Sequence, residues 1–149
     1  MIRIGSMALL ALASPLAAQD SPAAFDAART APLAVGQWVY ATTATGSEAR
    51  FGMHFLIRCD RSARRVTLRP TGPNSAVPAT AMTITTDLAT RTIPADGVVT
   101  NIDAVLDAIA FSRGRFIVDG GGSGGAGSGA RLVLPASPEA ARSIDDCRN

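Results

Sequence analysis

Five arginines lie within twelve residues of this chain, in the segment "RCDRSARRVTLR", and the sequence contains no lysine. A guanidinium presents a planar fork of donors that matches carboxylate and phosphate groups, including those of lipid head groups or of an acidic protein. We therefore predict a contact surface made of this arginine cluster, which consists of Arg58, Arg61, Arg64, Arg65 and Arg69. The alternative is a solvated hairpin turn whose arginines contact only water.

His54 is the only histidine and precedes the arginine cluster. Alternation places it on the more polar face of a strand with Arg50 and Arg58, so we add it to the predicted contact surface. An imidazole can also act as a general base, which makes a small secreted hydrolase using His54 the alternative function. Such an enzyme would need a serine and a carboxylate brought to His54 by folding. We assign no catalytic residue and predict that the chain is not an enzyme.

The glycine tract "GGGSGGAGSG", from Gly120 to Gly129, contains a literal G-x-G-x-x-G at Gly122, Gly124 and Gly127. That pattern binds a dinucleotide where a helix follows the glycines and directs its N-terminus at the pyrophosphate. Here "ARLVLP" follows, which is an extended, β-branched pattern, and a P-loop would need a lysine. We predict a loop between two strands and no nucleotide cofactor.

The first eighteen residues have the three parts of a secretory signal. Arg3 supplies the positive start, Met7 to Leu16 form the apolar run, and Leu16-Ala17-Ala18 is a small-residue cleavage site. An anchor helix is the alternative, but the apolar run is much shorter than the roughly 20 residues that span a bilayer. We expect residues 1–18 to be removed and the protein to be periplasmic or secreted, with no stable membrane insertion.

The sequence contains few residues that could bind a metal ion or a nucleic acid. With one histidine, a zinc site would need carboxylates almost alone, and the aspartates show no calcium-loop spacing. Without Arg3, thirteen arginines face twelve acidic residues, which gives no broad positive field. Aromatic residues do not interleave the arginine cluster, so single-stranded nucleic acid lacks stacking platforms. We predict no metal and no nucleic-acid partner, and an envelope protein or an anionic ligand as the partner.

Cys59 and Cys147 are the only cysteines. An even number of cysteines in an exported protein favours a disulfide, because oxidising compartments let such bonds persist. Two free thiols or part of a metal site are the alternatives.

Alternation of apolar and polar residues predicts a mainly β domain. The clearest pattern is "EARFGMHFLIRC", which we interpret as one long strand with Phe51, Met53, Phe55 and Cys59 on its apolar face. Further strands are predicted at "QWVYATT", "RVTLR", "AMTITTD", "LATRTIPAD", "RFIVD" and "ARLVLP".

Two helices are predicted late in the chain. In "TNIDAVLDAIAFSRG" apolar residues recur at helical spacing from Ile102 to Ala110, with Thr100 or Asn101 as the N-cap. In "SPEAARSIDDCR" Ser137 is the N-cap and Pro138 the first helical residue.

These elements predict an antiparallel β-sandwich or partial barrel of about six or seven strands with two short late helices, and an α+β fold is the alternative. The domain spans residues 36–149, and residues 19–35 form a loose, flexible N-terminal lead with one helical turn.

Four segments carry a resemblance to known proteins: "DAIAFSRGRF" (Asp107 to Phe116), "LVLPASPEAARSIDDCR" (Leu132 to Arg148), the Trp38 strand and "FLIRC". In these segments the chain resembles a group of small uncharacterised exported proteins of alphaproteobacteria. The similarity covers Gly36 to Arg148 and carries no catalytic residues. More distantly, the order of parts is similar to the invasion-associated locus B family and to accessory proteins of type VI secretion. These have a Trp-bearing strand, a Cys that ends a long strand and a late Cys after a short helix. The resemblance implies a periplasmic β-sandwich with a Cys59–Cys147 disulfide, and the glycine tract departs from the pattern.

Together these observations predict a periplasmic binding or envelope-accessory module. Its candidate surface is the arginine cluster with His54 on the adjacent sheet face. A structural protein of the cell envelope is a further alternative.

Overall fold

The computed structural model describes residues 22–72, 81–120 and 131–149. These residues form nine strands in two antiparallel sheets, together with three helices, and neither sheet closes into a barrel. The prediction of a mainly β, antiparallel fold is confirmed, and the described residues contain more strands than the six or seven predicted. The predicted signal (residues 1–18), residues 73–80 and the glycine tract beyond Gly120 lie outside the described residues.

The larger sheet has the strand order β1-β2-β3-β4-β7. Its strands are β1 (Trp38–Thr42), β2 (Gly46–Phe51), β3 (Phe55–Asp60), β4 (Arg65–Pro70) and β7 (Val98–Thr100). Each neighbouring pair is antiparallel, and short turns join β1 to β2, β2 to β3 and β3 to β4. The smaller sheet has the order β6-β5-β8-β9. Its strands are β5 (Met82–Thr85), β6 (Thr90–Ile93), β8 (Arg115–Asp119) and β9 (Leu132–Pro135).

The segment predicted as one long strand is a hairpin. It is split into β2 and β3 by a turn at residues 52–54, where Gly52 adopts a φ of 50° that favours glycine. Phe51 and Phe55 face each other across the two strands. A turn of three residues leaves the odd and even positions on the same faces as in a continuous strand, so alternation alone cannot detect it. Met53, predicted on the apolar face, lies in the turn and is 72% exposed.

The two late helices are confirmed as α2 (Ala104–Ala110) and α3 (Pro138–Asp145). Ser137 caps α3 as predicted, and its hydroxyl accepts from the amides of Glu139 and Ala140. The N-cap of α2 is Asp103 instead of Thr100 or Asn101, because its carboxylate accepts from the Val105 amide at 2.9 Å. Ile102, predicted on the apolar stripe, precedes this cap and is exposed.

One hydrophobic core joins both sheets and the two late helices. The larger sheet contributes Phe51, Phe55 and Ile57, and the smaller sheet contributes Ile84 and Phe116. Because the inner faces of both sheets enter the same core, the sheets form a sandwich, with α3 packed against β1, β2 and β3. Trp38 links the sheets, since its indole nitrogen donates to the Pro135 carbonyl at 2.7 Å.

The other face of the smaller sheet is covered by α1 (Pro22–Ala28). Phe25 and Ala28 pack on Ile117 and Val133 and are buried there. Arg115 donates to the carbonyls of Ala28 and Ala31, which stabilises the C-terminal end of α1. Part of the segment predicted as a loose lead is therefore packed on the domain.

A disulfide joins Cys59 at the end of β3 to Cys147 after α3, across 88 residues of sequence. Both cysteines are buried, and the described residues contain no free cysteine. The predicted bridge is confirmed.

Candidate functional site

The arginine cluster lies on the hairpin formed by β3 and β4. Arg58 is on β3, Arg65 and Arg69 are on β4, and Arg61 and Arg64 are in the turn between them. All five side chains are exposed. The five arginines therefore share one hairpin.

The register of the hairpin explains why the strand arginines point away from the core. Cys59 pairs with Val66, and Ile57 pairs with Leu68, and all four of these side chains are buried. The residues between these inner pairs must face the opposite side, because side chains alternate along a strand. Arg58, Arg65 and Arg69 consequently lie on the outer face of the larger sheet.

Leu56 shows how closely the arginines pack on this outer face. It is the cross-strand neighbour of both Arg50 and Arg69, and it is only 3% exposed although it faces away from the core. The aliphatic stems of flanking arginines can cover such a residue while the charged groups stay in water. No helix of the described residues covers this face, since α2 and α3 belong to the core and α1 packs on the smaller sheet.

His54 is separated from part of the arginine cluster. It lies in the turn before β3, whereas Arg61 and Arg64 follow the end of β3, so the strand length puts them about 20 Å apart. The His54 ring lies beside Phe51, with 6.3 Å between ring centroids. Within the described residues, its imidazole has no hydrogen bond to a serine or a carboxylate. The structure thus places His54 at the Arg69 end of the hairpin and apart from the turn arginines.

Glu48 neutralises part of the outer face and was not predicted as part of it. Its carboxylate accepts from Arg50 at 2.7 Å and from Arg58 at 2.9 Å. The hydrogen bond from Arg50, joined by that from Arg58, lowers the pKa of Glu48 despite an opposing effect of burial. Only the register of β2 against β3 reveals this arrangement, because Glu48 and Arg58 are ten residues apart in sequence.

The other arginines of the cluster are largely unpaired. Within the described residues, the Arg64, Arg65 and Arg69 side chains have no hydrogen bond or ion pair. Arg61 interacts electrostatically with Asp146. Most other described arginines are engaged through their side chains: Arg29, Arg50, Arg115, Arg131, Arg142 and Arg148. Unpaired guanidinium groups are therefore concentrated on the β3–β4 hairpin.

Asp60 does not neutralise Arg65, although the two residues face each other across the hairpin. Its Oδ1 accepts from the Ser62 hydroxyl at 2.6 Å and from the Ala63 amide at 3.0 Å. The Ser62 hydrogen bond and then the Ala63 amide lower the pKa of Asp60. This carboxylate stabilises the turn that presents Arg61 and Arg64.

A second polar group of residues holds α3 on the larger sheet. The Tyr40 hydroxyl donates to Asp146 Oδ2 at 2.5 Å, and the Arg142 guanidinium lies 4.2 Å from the centre of the Tyr40 ring. Ser143, fully buried, donates to the Ile57 carbonyl at 3.5 Å. These contacts join α3 and the residue after it to β1 and β3, so their role is to fix the end of α3.

The smaller sheet contains the two strands that flank the glycine tract. β8 and β9 pair as antiparallel neighbours on either side of it, with Val118 opposite Leu132. A strand follows the tract, as predicted, where a phosphate-binding motif would need a helix. The described residues also contain no group of three or more potential metal ligands.

A cavity of about 320 Å³ lies between α1 and the loop from β5 to β6. It is lined by Phe25, Asp26 and Arg29 on one side and by residues 86–90 on the other. Arg29 is already paired with Asp26 at 3.3 Å, and no residue of the predicted contact surface lines this cavity.

Comparisons with known proteins find no match, since no family model, no curated protein and no solved structure matches the chain. No helix of the described residues is long and apolar enough to cross a membrane. The functional conclusion therefore rests on the geometry of the arginine cluster.

Proposed function

We propose that this protein is a binding module that contacts an anionic partner through the arginine cluster. The observation that carries this proposal is the concentration of exposed arginines without side-chain partners on one hairpin, namely Arg64, Arg65 and Arg69. An exposed guanidinium that makes no internal ion pair keeps its full capacity to bind a carboxylate or a phosphate. The paired strands of the hairpin order the backbone that carries Arg65 and Arg69, so binding does not have to order it, which lowers the entropic cost of binding.

We further propose that the protein works outside the cytoplasm as a module of the cell envelope. The disulfide supports this, because such bonds persist in oxidising compartments. The N-terminal sequence, with its basic start, apolar run and small-residue site, points the same way. An envelope protein with an acidic surface would present the carboxylates that arginine forks bind.

The test is a titration of the protein with poly-L-glutamate and, separately, with polyphosphate as a second anionic polymer. Calorimetry at low salt measures the binding affinity in each titration. The variant Arg65→Gln/Arg69→Gln removes two unpaired arginines of the cluster. The matched control Arg91→Gln/Arg113→Gln removes two exposed arginines elsewhere and changes the net charge equally. We expect the cluster variant to weaken binding about 5- to 30-fold, and the control less than about twofold, because an exposed charge contact contributes up to about 1 kcal/mol.

Equal weakening in both variants would show that only net charge matters and would contradict the proposal. Absence of binding by the unmodified protein to either polymer would contradict it as well. Binding to one polymer alone would identify the carboxylate or the phosphate as the preferred group.

A further inference from the structure

Exposed apolar side chains gather at one end of the larger sheet. Seven large apolar side chains are strongly exposed among the residues that the structure describes. Three of them lie at the end where β2 turns into β3: Val35 at 89%, Met53 at 72% and Val39 at 62% exposure. We call these three residues the apolar end. Apolar groups exposed together, unlike scattered ones, mark contact sites.

Backbone contacts hold these residues near one another. The Gly52 amide donates to the Gln37 carbonyl at 3.1 Å, which ties the turn at residues 52–54 to the segment before β1. A Cβ placed on Gly52 would be 3.9 Å from the Val35 carbonyl oxygen, so Val35 and Met53 lie on adjacent parts of the surface. Val39 is on edge strand β1, opposite Arg50.

Cationic residues flank the apolar end. The row of outward residues nearest the turn consists of Val39, Arg50, Leu56 and Arg69, and it contains no acidic residue. Glu48 lies in the next row, where Arg50 and Arg58 hold it. Apolar side chains with arginines beside them are complementary to a surface whose phosphates lie above hydrocarbon.

We propose that the apolar end inserts into the interface of a membrane that contains anionic lipids, with the unpaired Arg69 contacting lipid phosphates and Arg50, which Glu48 already pairs, lying beside it. A protruding turn and an edge strand suit a planar surface, which they can enter without a complementary groove. Binding is weak and reversible, because few apolar side chains enter the interface and each nearby arginine contributes only modestly. The proposal shares Arg69 with the arginine cluster but otherwise uses different residues, so the two proposals can fail separately.

The experiment measures sedimentation of the protein with phosphatidylglycerol vesicles and with phosphatidylcholine vesicles. The variant Val35→Ser/Met53→Ser removes apolar surface at the apolar end. The control Ile102→Ser/Phe111→Ser removes apolar side chains of similar exposure that flank α2. The apolar segment from Met7 to Leu16, if it is retained, is the same in the unmodified protein and in both variants. Its contribution to vesicle binding therefore cancels when the three proteins are compared. Thermal unfolding confirms that each variant is folded.

We expect the unmodified protein to bind phosphatidylglycerol more strongly than phosphatidylcholine. We expect Val35→Ser/Met53→Ser to weaken phosphatidylglycerol binding at least about fivefold, since each buried apolar side chain contributes substantially, while the control changes it little. Equal binding to the two lipids, or equal losses in the two variants, would overturn the proposal. Because Val35→Ser/Met53→Ser keeps the arginine cluster, its binding of poly-L-glutamate is expected to be unchanged.

Discussion

At the scale of single residues, the outer face of the larger sheet combines paired and unpaired charges. Glu48 holds Arg50 and Arg58 in fixed positions, whereas Arg65 and Arg69 have no side-chain partner in the described part of the chain. The alternation of side chains along a strand predicts that the paired and the unpaired arginines all face outwards. Only the register of the strands shows which of these arginines meets a carboxylate. The charge available to a partner is therefore smaller and more localised than the arginine count suggests.

Asp146 provides a prediction about pH. Burial acts to raise its pKa, but the hydrogen bond from the Tyr40 hydroxyl, together with the nearby Ser47, Arg61 and Arg142, outweighs burial and lowers the pKa. A carboxylate with a lowered pKa in the folded state stabilises the fold above its unfolded pKa of about 3.9. That stabilisation is lost as the pH falls through the folded pKa.

We expect Asp146→Asn to lower the free energy of unfolding by about 1 kcal/mol at pH 7, because a hydrogen-bonded charge is lost. The deficit relative to the unmodified protein should shrink as the pH falls below the unfolded pKa of about 3.9, and it should vanish below the lowered pKa of the native carboxylate. Urea unfolding at several pH values measures both effects, and Asp145→Asn is the control because Asp145 is exposed. A deficit that stays constant down to pH 2 would contradict this role of the Asp146 charge.

At the scale of elements, the sequence predicted the strands better than the turns between them. The alternation in "RVTLR" and "RFIVD" identifies β4 and β8, because each strand has at least one buried face. The turn at Gly52 is invisible to alternation, and β7 is too short to show a period. The packing of α1 depends on Ile117 and Val133, which are far away in sequence. The arginine cluster was predictable because its members lie in one hairpin, whereas Arg50 and Glu48 required the register of β2.

The pairing of β4 with β7 depends on a close approach at Gly97. A Cβ at this position would lie 2.2 Å from the Leu68 carbonyl oxygen, and the backbone has a φ of 72°. We expect Gly97→Ala to destabilise the protein by about 2 kcal/mol more than Gly114→Ala does. Gly114 is the control because its φ is 86° and no atom lies within 4 Å of an added Cβ. Equal melting temperatures for the two variants would mean that the chain relaxes the contact without cost.

In the molecule as a whole, a disulfide, a hydrogen bond and an ion pair attach the C-terminal residues to the rest of the sandwich. The disulfide joins β3 to the turn after α3, Asn101 donates to the Cys147 carbonyl at 2.9 Å, and Arg148 pairs with Asp107 at 2.8 Å. These links hold α3 over the core while the outer face of the larger sheet carries the arginines.

We expect Cys59→Ala/Cys147→Ala to lower the free energy of unfolding by about 4.5 kcal/mol, since an 88-residue separation makes the unfolded chain much freer once the bridge is lost. Reductant should destabilise the unmodified protein and leave the double variant unaffected, which is the control. Two alkylatable thiols in the native protein without reductant would contradict the bridge.

We propose that the β3–β4 arginines form the surface that contacts an anionic partner. The most direct measurement of this contact is the map of amide chemical-shift changes during titration with poly-L-glutamate. We expect the largest changes at residues 61–69, and we expect these changes to diminish in Arg65→Gln/Arg69→Gln. Changes centred on β6 or on α2, with the β3–β4 hairpin unaffected, would contradict it.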